Sequence, residues 1–313
     1  MNIVFMGTPE FAVPCLEKIV EDGHTVSAVF TRADKPVGRK KILTPPPVKV
    51  VAERFGLTVY QPEKIKGNCE VYELLKNINP DVIVVVAYGR ILPSEILQLP
   101  KHGCVNVHGS LLPRYRGASP IQWSIVCGDK KTGVTTMLMD EGIDTGDMLY
   151  TEEIEISDTD NYETLHDKMS LIGANALSYT LTRLEKGEIV PKKQPSEGVS
   201  YAPIITKQMG QLNFAKTAKE LDCLIRGFTP WPLAYFYFND RRFKIYKASL
   251  SEKTEKKIGT IYFENNRIYV ACADGNALEI TEICPDGSKR MNSAAFINGR
   301  FIENGALIEF KED

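Results

Sequence analysis

The chain has 313 residues, more than the roughly 100–200 of an ordinary single domain, and 43% hydrophobic content supplies apolar surface for two cores. The formal charge of −2 gives no sign of a nucleic-acid partner, so any such partner must be met by local patches. Seven scattered cysteines without a C-x-x-C pair argue against a disulfide framework or structural zinc and fit a reduced compartment, while the longest apolar run, Val82–Ala87, is far below the ~20 residues of a membrane span.

The start, Met1 to Met6, carries no basic leader and no small-residue cleavage site, so no signal peptide is expected and the chain reads as cytoplasmic. Short β-branched runs then alternate with helical stretches: Asn2–Met6, Glu10–Glu21, Thr25–Thr31, Val48–Phe55 and Leu57–Tyr60. The helix-like Glu70–Asn77 precedes Val82–Ala87, whose unbroken apolar character predicts a central strand buried on both faces. Cys104–His108 is a further predicted strand, followed by helix Ser119–Val126, strand Val134–Met139 and a long helix at Tyr162–Lys186. This rhythm predicts an α/β domain over 1–189 with a Rossmann-like, doubly wound, mainly parallel sheet. Residues 190–207, with Pro191, Pro195, Gly198 and Pro203, are expected to be a linker. From 208 to 313 one helix, Thr217–Gly227, precedes β-rich sequence with turns at Asn239-Asp240, Asn265-Asn266, Asp274-Gly275 and Asp286-Gly287, a pattern that predicts a smaller OB-like β-barrel.

Asn106 and His108 stand two apart on the predicted strand, so they share a face while Val105 and Val107 take the other. Gly109 marks the carboxyl end of that strand, where ligands bind in open α/β sheets. The loop Asp140-Glu141-Gly142-Ile143-Asp144-Thr145-Gly146-Asp147 follows another predicted strand, and a carboxylate from it could orient His108 and stabilise its protonated form. Four acids compete for that role, and each could equally cap a turn. Gly7-Thr8-Pro9 is not followed by the glycines of a dinucleotide site, and His24, His102 and His166 lack ligand spacing, so neither a nicotinamide cofactor nor a metal is expected.

The run Asn106-Val107-His108-Gly109-Ser110-Leu111-Leu112-Pro113-Arg114-Tyr115-Arg116-Gly117, followed by Gly142-Ile143-Asp144-Thr145-Gly146, resembles the folate-dependent formyltransferases. The likeness extends over nearly the whole chain through Phe5-Met6-Gly7-Thr8-Pro9-Glu10-Phe11 and Gly227-Phe228-Thr229-Pro230-Trp231-Pro232. Among those enzymes the combination is similar to the ones that act on methionyl-tRNA. The resemblance implies transfer of the formyl group of 10-formyltetrahydrofolate to the amino group of methionine on initiator tRNA, without a metal. It assigns Asn106, His108 and Asp144 as the catalytic trio and Ser110, Leu111, Leu112 and Pro113 to a folate-binding loop.

Two basic regions suit a tRNA. Between Arg32 and Lys49, six basic residues face one acid, a local +5, and Pro36, Gly38 and Pro45-Pro46-Pro47 predict a long exposed loop. The resemblance places this loop at the acceptor stem, with Arg39 as principal reader beside Lys40 and Lys41, favouring a weak first base pair that opens at least cost. From Val190 to Leu250 the balance is +6, and Lys192, Lys193, Arg241 and Arg242 are candidates for phosphate contact. Trp231 is expected to pack rather than to stack on a base. The rivals are a formyltransferase for a purine-pathway ribonucleotide or an amino-sugar nucleotide, and a nonenzymatic tRNA-binding protein; the basic loop opposes the first and the intact trio the second. A monomer is expected.

Overall fold

The computed structural model describes residues 1–38, 40–308 and 310. Two compact units form, one of Met1–Pro120, Thr132–Ile154 and His166–Ala202, the other of Ile121–Lys131, Glu155–Leu165 and Pro203–Asp313. In chain order come β1 (Asn2–Gly7), α1 (Val13–Glu21), β2 (Thr25–Phe30), β3 (Lys35–Val37), β4 (Ile42–Thr44), α2 (Pro47–Arg54), β5 (Val59–Tyr60), α3 (Cys69–Ile78), β6 (Val82–Val86), α4 (Ser94–Leu97), β7 (Cys104–His108) and β8 (Arg116–Gly117). Next are α5 (Pro120–Val126), β9 (Lys131–Leu138), β10 (Met148–Glu155), α6 (Tyr162–Glu185) and β11 (Tyr201–Ala202).

The first unit is built on a sheet of order β10-β9-β7-β6-β1-β2-β5. From β5 through β7 the neighbours pair in parallel, and β9 then runs antiparallel to β7. The sequence order of the strands reverses between β1 and β6, so the crevice beyond their carboxyl ends is where such a sheet receives ligands. Every residue of β6, Val-Ile-Val-Val-Val, is buried, because helices cover both faces. On one face Val4, Met6, Phe30, Val85 and Cys104 join Val71 and Leu75 of α3 and Ile96 and Leu97 of α4 in one core. On the other, Gly173 of α6 faces Val107 and Val134 so closely that an added Cβ would lie 3.3 Å from Val107. Helix α3 starts where the Asn68 side chain accepts from the Val71 amide at 3.2 Å and stops at Asn79, which takes the left-handed conformation at φ 48°.

The second unit adds α7 (Ala218–Gly227), β12 (Ala234–Phe238), β13 (Arg241–Lys253), β14 (Ile261–Glu264), β15 (Arg267–Ala271), β16 (Asn276–Pro285), β17 (Met291–Asn292) and α8 (Ser293–Asn298). Its antiparallel sheet runs β12-β13-β16-β15-β14, with β17 on β16. Register shifts along β13 and β16 add local twist, as the expected small barrel-like sheet requires. One core receives Phe236, Phe243, Ile261, Val270 and Ile280 from the strands, Leu221 and Ile225 from α7 and Phe296 from α8. Thr217 and Glu220 close a reciprocal capping box on α7, with the Thr217 amide 2.9 Å from the Glu220 carboxylate.

Two expectations change. The stretch from Arg32 to Lys49 contains a β-hairpin, β3 with β4, and the first turn of α2. Pro36 is accommodated because a two-stranded ribbon leaves edges where no amide is required, and Pro47 because the first helical turn has spare amides. Trp231 is 50% exposed rather than packed; it stands on the turn between α7 and β12, between two prolines that offer no amide to tie that turn into the sheet.

Candidate active site

Residues Asn106 and His108 occupy the last turn of the pleat in β7, opposite Met137 and Thr135 of β9. Alternation along β7 puts both on the Cys104 face and sends Val105 and Val107 to the α6 side. The backbone then leaves the sheet, and the loop after β9 returns Asp144 to the same place. Asp144 Oδ1 lies 3.5 Å from Asn106 Nδ2 and 3.6 Å from His108 Nδ1, while Oδ2 accepts from the Gly117 amide at 2.8 Å. One carboxylate thus stands between the amide and the imidazole, and a backbone donor fixes its far oxygen. The other acids of the loop are not equivalent: Asp140 accepts from the Gly142 amide at 3.0 Å and from the Thr145 hydroxyl at 2.7 Å, capping the turn.

His108 is buried and pairs through Nε2 with the Tyr115 carbonyl at 3.0 Å. A carbonyl only accepts, so Nε2 carries a hydrogen; in the neutral ring Nδ1 is then the bare nitrogen, on the Asp144 side. The gap of 3.6 Å is too long for a direct hydrogen bond and leaves Nδ1 available to a reacting group. Asp144 itself is held at φ 53°, and Gly146 passes so close to β9 that an added Cβ would meet the Leu138 carbonyl at 1.7 Å. No residue with a side chain fits there without moving the loop.

The loop from Ser110 to Pro113 lies inside the unit. Ser110 is fully buried, its hydroxyl donating to the Arg114 carbonyl at 2.6 Å, and Thr135 Oγ1 accepts from Leu112 N at 3.1 Å and donates to the Ser110 carbonyl at 2.7 Å. Leu112 and Pro113 are buried too, and Leu111 is half-buried. This segment is held by packing and by its own hydrogen bonds, with its serine hydroxyl already engaged.

A second group of polar atoms lies beyond the ends of β2 and β6. Among the described residues, three buried side-chain atoms have no partner, Thr31 Oγ1, the Tyr88 hydroxyl and Arg90 Nε. Burial pushes the Tyr88 phenol up to about 12 against the pull of Arg90 and Arg32, so it remains a neutral donor. Buried polar atoms without partners are costly. Among the described residues no cluster of three or more His, Cys, Asp or Glu has metal-binding spacing.

Residues 1–181 match the family model described as formyl transferase, and residues 204–300 match the formyl transferase C-terminal domain. Methionyl-tRNA formyltransferase from Caldanaerobacter subterraneus is 47% identical over 99% of this chain and 100% of its own length, and that from Clostridioides difficile is 48% identical over 98% and 100%. The chain belongs to the methionyl-tRNA formyltransferase family. Solved formyltransferases share the fold: an N-formyltransferase from Helicobacter canadensis with folinic acid and dTDP-3-aminofucose has a TM-score of 0.67 at 22% identity, covering 89% of this chain and 98% of that one. HypX from Aquifex aeolicus in complex with tetrahydrofolic acid gives 0.63 at 15%, covering 100% of this chain and 51% of its own.

For a family whose acceptor is a tRNA, the placement of basic side chains matters. Lys40 and Lys41 are exposed at the tip between β3 and β4, whereas Arg39 lies outside the described residues. Three exposed apolar side chains, Val37, Ile42 and Leu43, accompany them, with Leu43 at 64%. Lys49 is engaged, donating to Asp34 at 2.9 Å and Gln61 at 3.0 Å. Lys192 and Lys193 are exposed, but Arg241 and Arg242 are tied down, Arg241 to the Asp286 carbonyl at 2.9 Å and Arg242 to its carboxylate at 3.1 Å.

The sequence reading missed the backbone carbonyl of Tyr115, the amide of Gly117 and the side chain of Gln194, whose Nε2 donates to the Asp144 and Gly146 carbonyls at 2.8 Å. The first two carry no side-chain signature. Gln194 sits in a stretch read as linker, where nothing in composition marks it.

Proposed function

We propose that this chain, working as a cytoplasmic monomer, transfers the formyl group of 10-formyltetrahydrofolate to the amino group of methionyl initiator tRNA, with Asn106, His108 and Asp144 as its catalytic groups. The observation that carries the reading is the meeting of these three side chains at one sheet end in a chain similar throughout its length to methionyl-tRNA formyltransferases. No helix among the described residues is long and apolar enough to cross a membrane.

The amine nitrogen must bond to the formyl carbon, the bond from that carbon to the folate nitrogen must break, and one proton must pass from the first nitrogen to the second. Negative charge grows on the formyl oxygen as the amine attacks. Asn106 Nδ2 has two hydrogens and needs at most one for Asp144, so the other donates to that oxygen, a contribution worth on the order of 10²–10³ in rate. His108 Nδ1 takes the proton of the attacking amine and returns it to the departing folate nitrogen. Asp144 faces the imidazolium formed in between and holds the ring in place, with Tyr115 anchoring the opposite nitrogen. Ser110, Leu111, Leu112 and Pro113 form a wall of the folate pocket.

The test offers purified protein 10-formyltetrahydrofolate with one of four acceptors: methionine-charged initiator tRNA, charged elongator tRNA, glycinamide ribonucleotide or an amino-sugar nucleotide. Rapid formylation of the charged initiator alone is expected; a preference for either small nucleotide would overturn the assignment.

A further inference from the structure

We propose that Gln194 is a positioning residue for formyl transfer, acting through Asp144; the inference rests on Asp144 having the role given above. Its amide spans two loops. Nε2 donates to the Asp144 carbonyl and to the Gly146 carbonyl, both at 2.8 Å, while Oε1 accepts from Arg116 Nε at 3.1 Å and Nη2 at 2.7 Å. Both amide hydrogens and both lone pairs of the oxygen are thereby used.

The target of this clamp needs holding. Asp144 has a left-handed backbone at φ 53°, a region that costs residues with a Cβ, Asp less than most, so neighbours that hold it there fix the aim of its carboxylate. Gln194 fixes the carbonyls on either side of Thr145 and so orients the peptide units that aim the carboxylate. The Gly117 amide, one residue from the Arg116 that grips Gln194, holds Asp144 Oδ2 directly. Backbone and side chain of Asp144 are therefore referenced to the same short strand.

The segment bearing Gln194 is itself pinned on both sides. Lys192 exchanges two backbone hydrogen bonds of 2.8 Å with Met148, and Tyr201–Ala202 pairs in parallel with Arg116–Gly117. Ser200 Oγ accepts from the Tyr115 amide at 2.9 Å, which steadies the residue whose carbonyl holds His108. Residues 192–202 thus form a strap that references both sides of the catalytic pair, and Gln194 is its side-chain contact with the Asp144 loop.

Replacing Gln194 with Met removes the clamp, and Gln194→Glu keeps the acceptor for Arg116 but turns a carboxylate toward two carbonyls. Either variant is expected to lower kcat about 10- to 100-fold, the scale of a small misplacement of a catalytic group, with both KM values within about 3-fold of the parent. In an Asp144→Asn background, Gln194→Met is expected to cost nothing further, because its effect runs through the carboxylate already lost. Full kcat for Gln194→Met, a loss confined to KM, or independent losses that multiply in the double variant would overturn the inference. Should Gln194→Met fail to fold, the isosteric Gln194→Glu carries the same comparison. If Asp144→Asn alone retains full activity, the fault lies with the catalytic role of Asp144; if it is impaired while Gln194→Met is not, only the clamp fails.

Discussion

A carboxylate 3.5 Å from an amide and 3.6 Å from an imidazole touches neither tightly, and that looseness bears on the chemistry. If Asp144 bonded closely to the imidazole, His108 Nδ1 would be occupied and unable to meet the substrate. Instead its firm contact is to the Gly117 amide at 2.8 Å, leaving Nδ1 without a direct hydrogen bond to the carboxylate and Nδ2 with a hydrogen to spare. Asn106→Ala should therefore lower kcat by at least about 10², while tRNA affinity stays near that of the parent, since the lost bond matters chiefly in the transition state. His108→Ala should behave alike. Single-turnover rates near those of the parent for either variant would remove that residue from the mechanism.

At the level of elements, what was legible followed from local periodicity. The apolar run of β6 and the alternation in β7 announced a buried strand beside one that presents Asn106 and His108 on one face, and both stand where expected. The strap and the hairpin were not legible for the opposite reason. Strand β11 is two residues long and finds its partner β8 more than eighty residues earlier, so its pairing has no local pattern. In the hairpin, prolines and a glycine suggested irregular chain, yet three register pairs from Lys35↔Thr44 to Val37↔Ile42 suffice for a ribbon. That ribbon displays Val37, Ile42 and Leu43 with Lys40 and Lys41, an apolar and cationic tip with little to bury in the free protein. A partner that covers it would repay the ordering. Trypsin should cut early after Lys40 and Lys41, saturating methionine-charged initiator tRNA should protect these bonds, and 10-formyltetrahydrofolate alone should not. Arg39→Ala should lose preference for initiator over elongator tRNA without losing folate binding. Equal cleavage with and without tRNA, or undiminished discrimination by Arg39→Ala, would place recognition elsewhere.

For the molecule as a whole, the question is how a chain of net charge −2 holds a polyanion. Charge has to be counted where it is free to act. In the second unit Asp286 pairs with Arg242 and with Lys244, each at 3.1 Å, and its carboxyl is pulled below its ordinary value, the two cations outweighing the opposing effect of burial. Arg241 also lies across the Phe301 ring, 5.0 Å from its centroid. These cations do structural duty at one end of the sheet, so less of their charge is offered outward than composition suggests. Lys192 and Lys193, exposed on the strap of the first unit, carry no such commitment to a carboxylate among the described contacts. Reversing both, Lys192→Glu with Lys193→Glu, should weaken binding of initiator and elongator tRNA alike, because phosphate contacts position without reading sequence. Each lost contact should also reduce the slope of log affinity against log salt by about one. The pair Arg241→Ala with Arg242→Ala should instead show its larger effect in the thermal melt of the chain and a smaller one in that slope. Filter-binding titrations at low and moderate salt separate the two cases. An unchanged affinity and slope for the lysine pair would mean that the strap faces away from the nucleic acid and that the tRNA backbone is held by other cations.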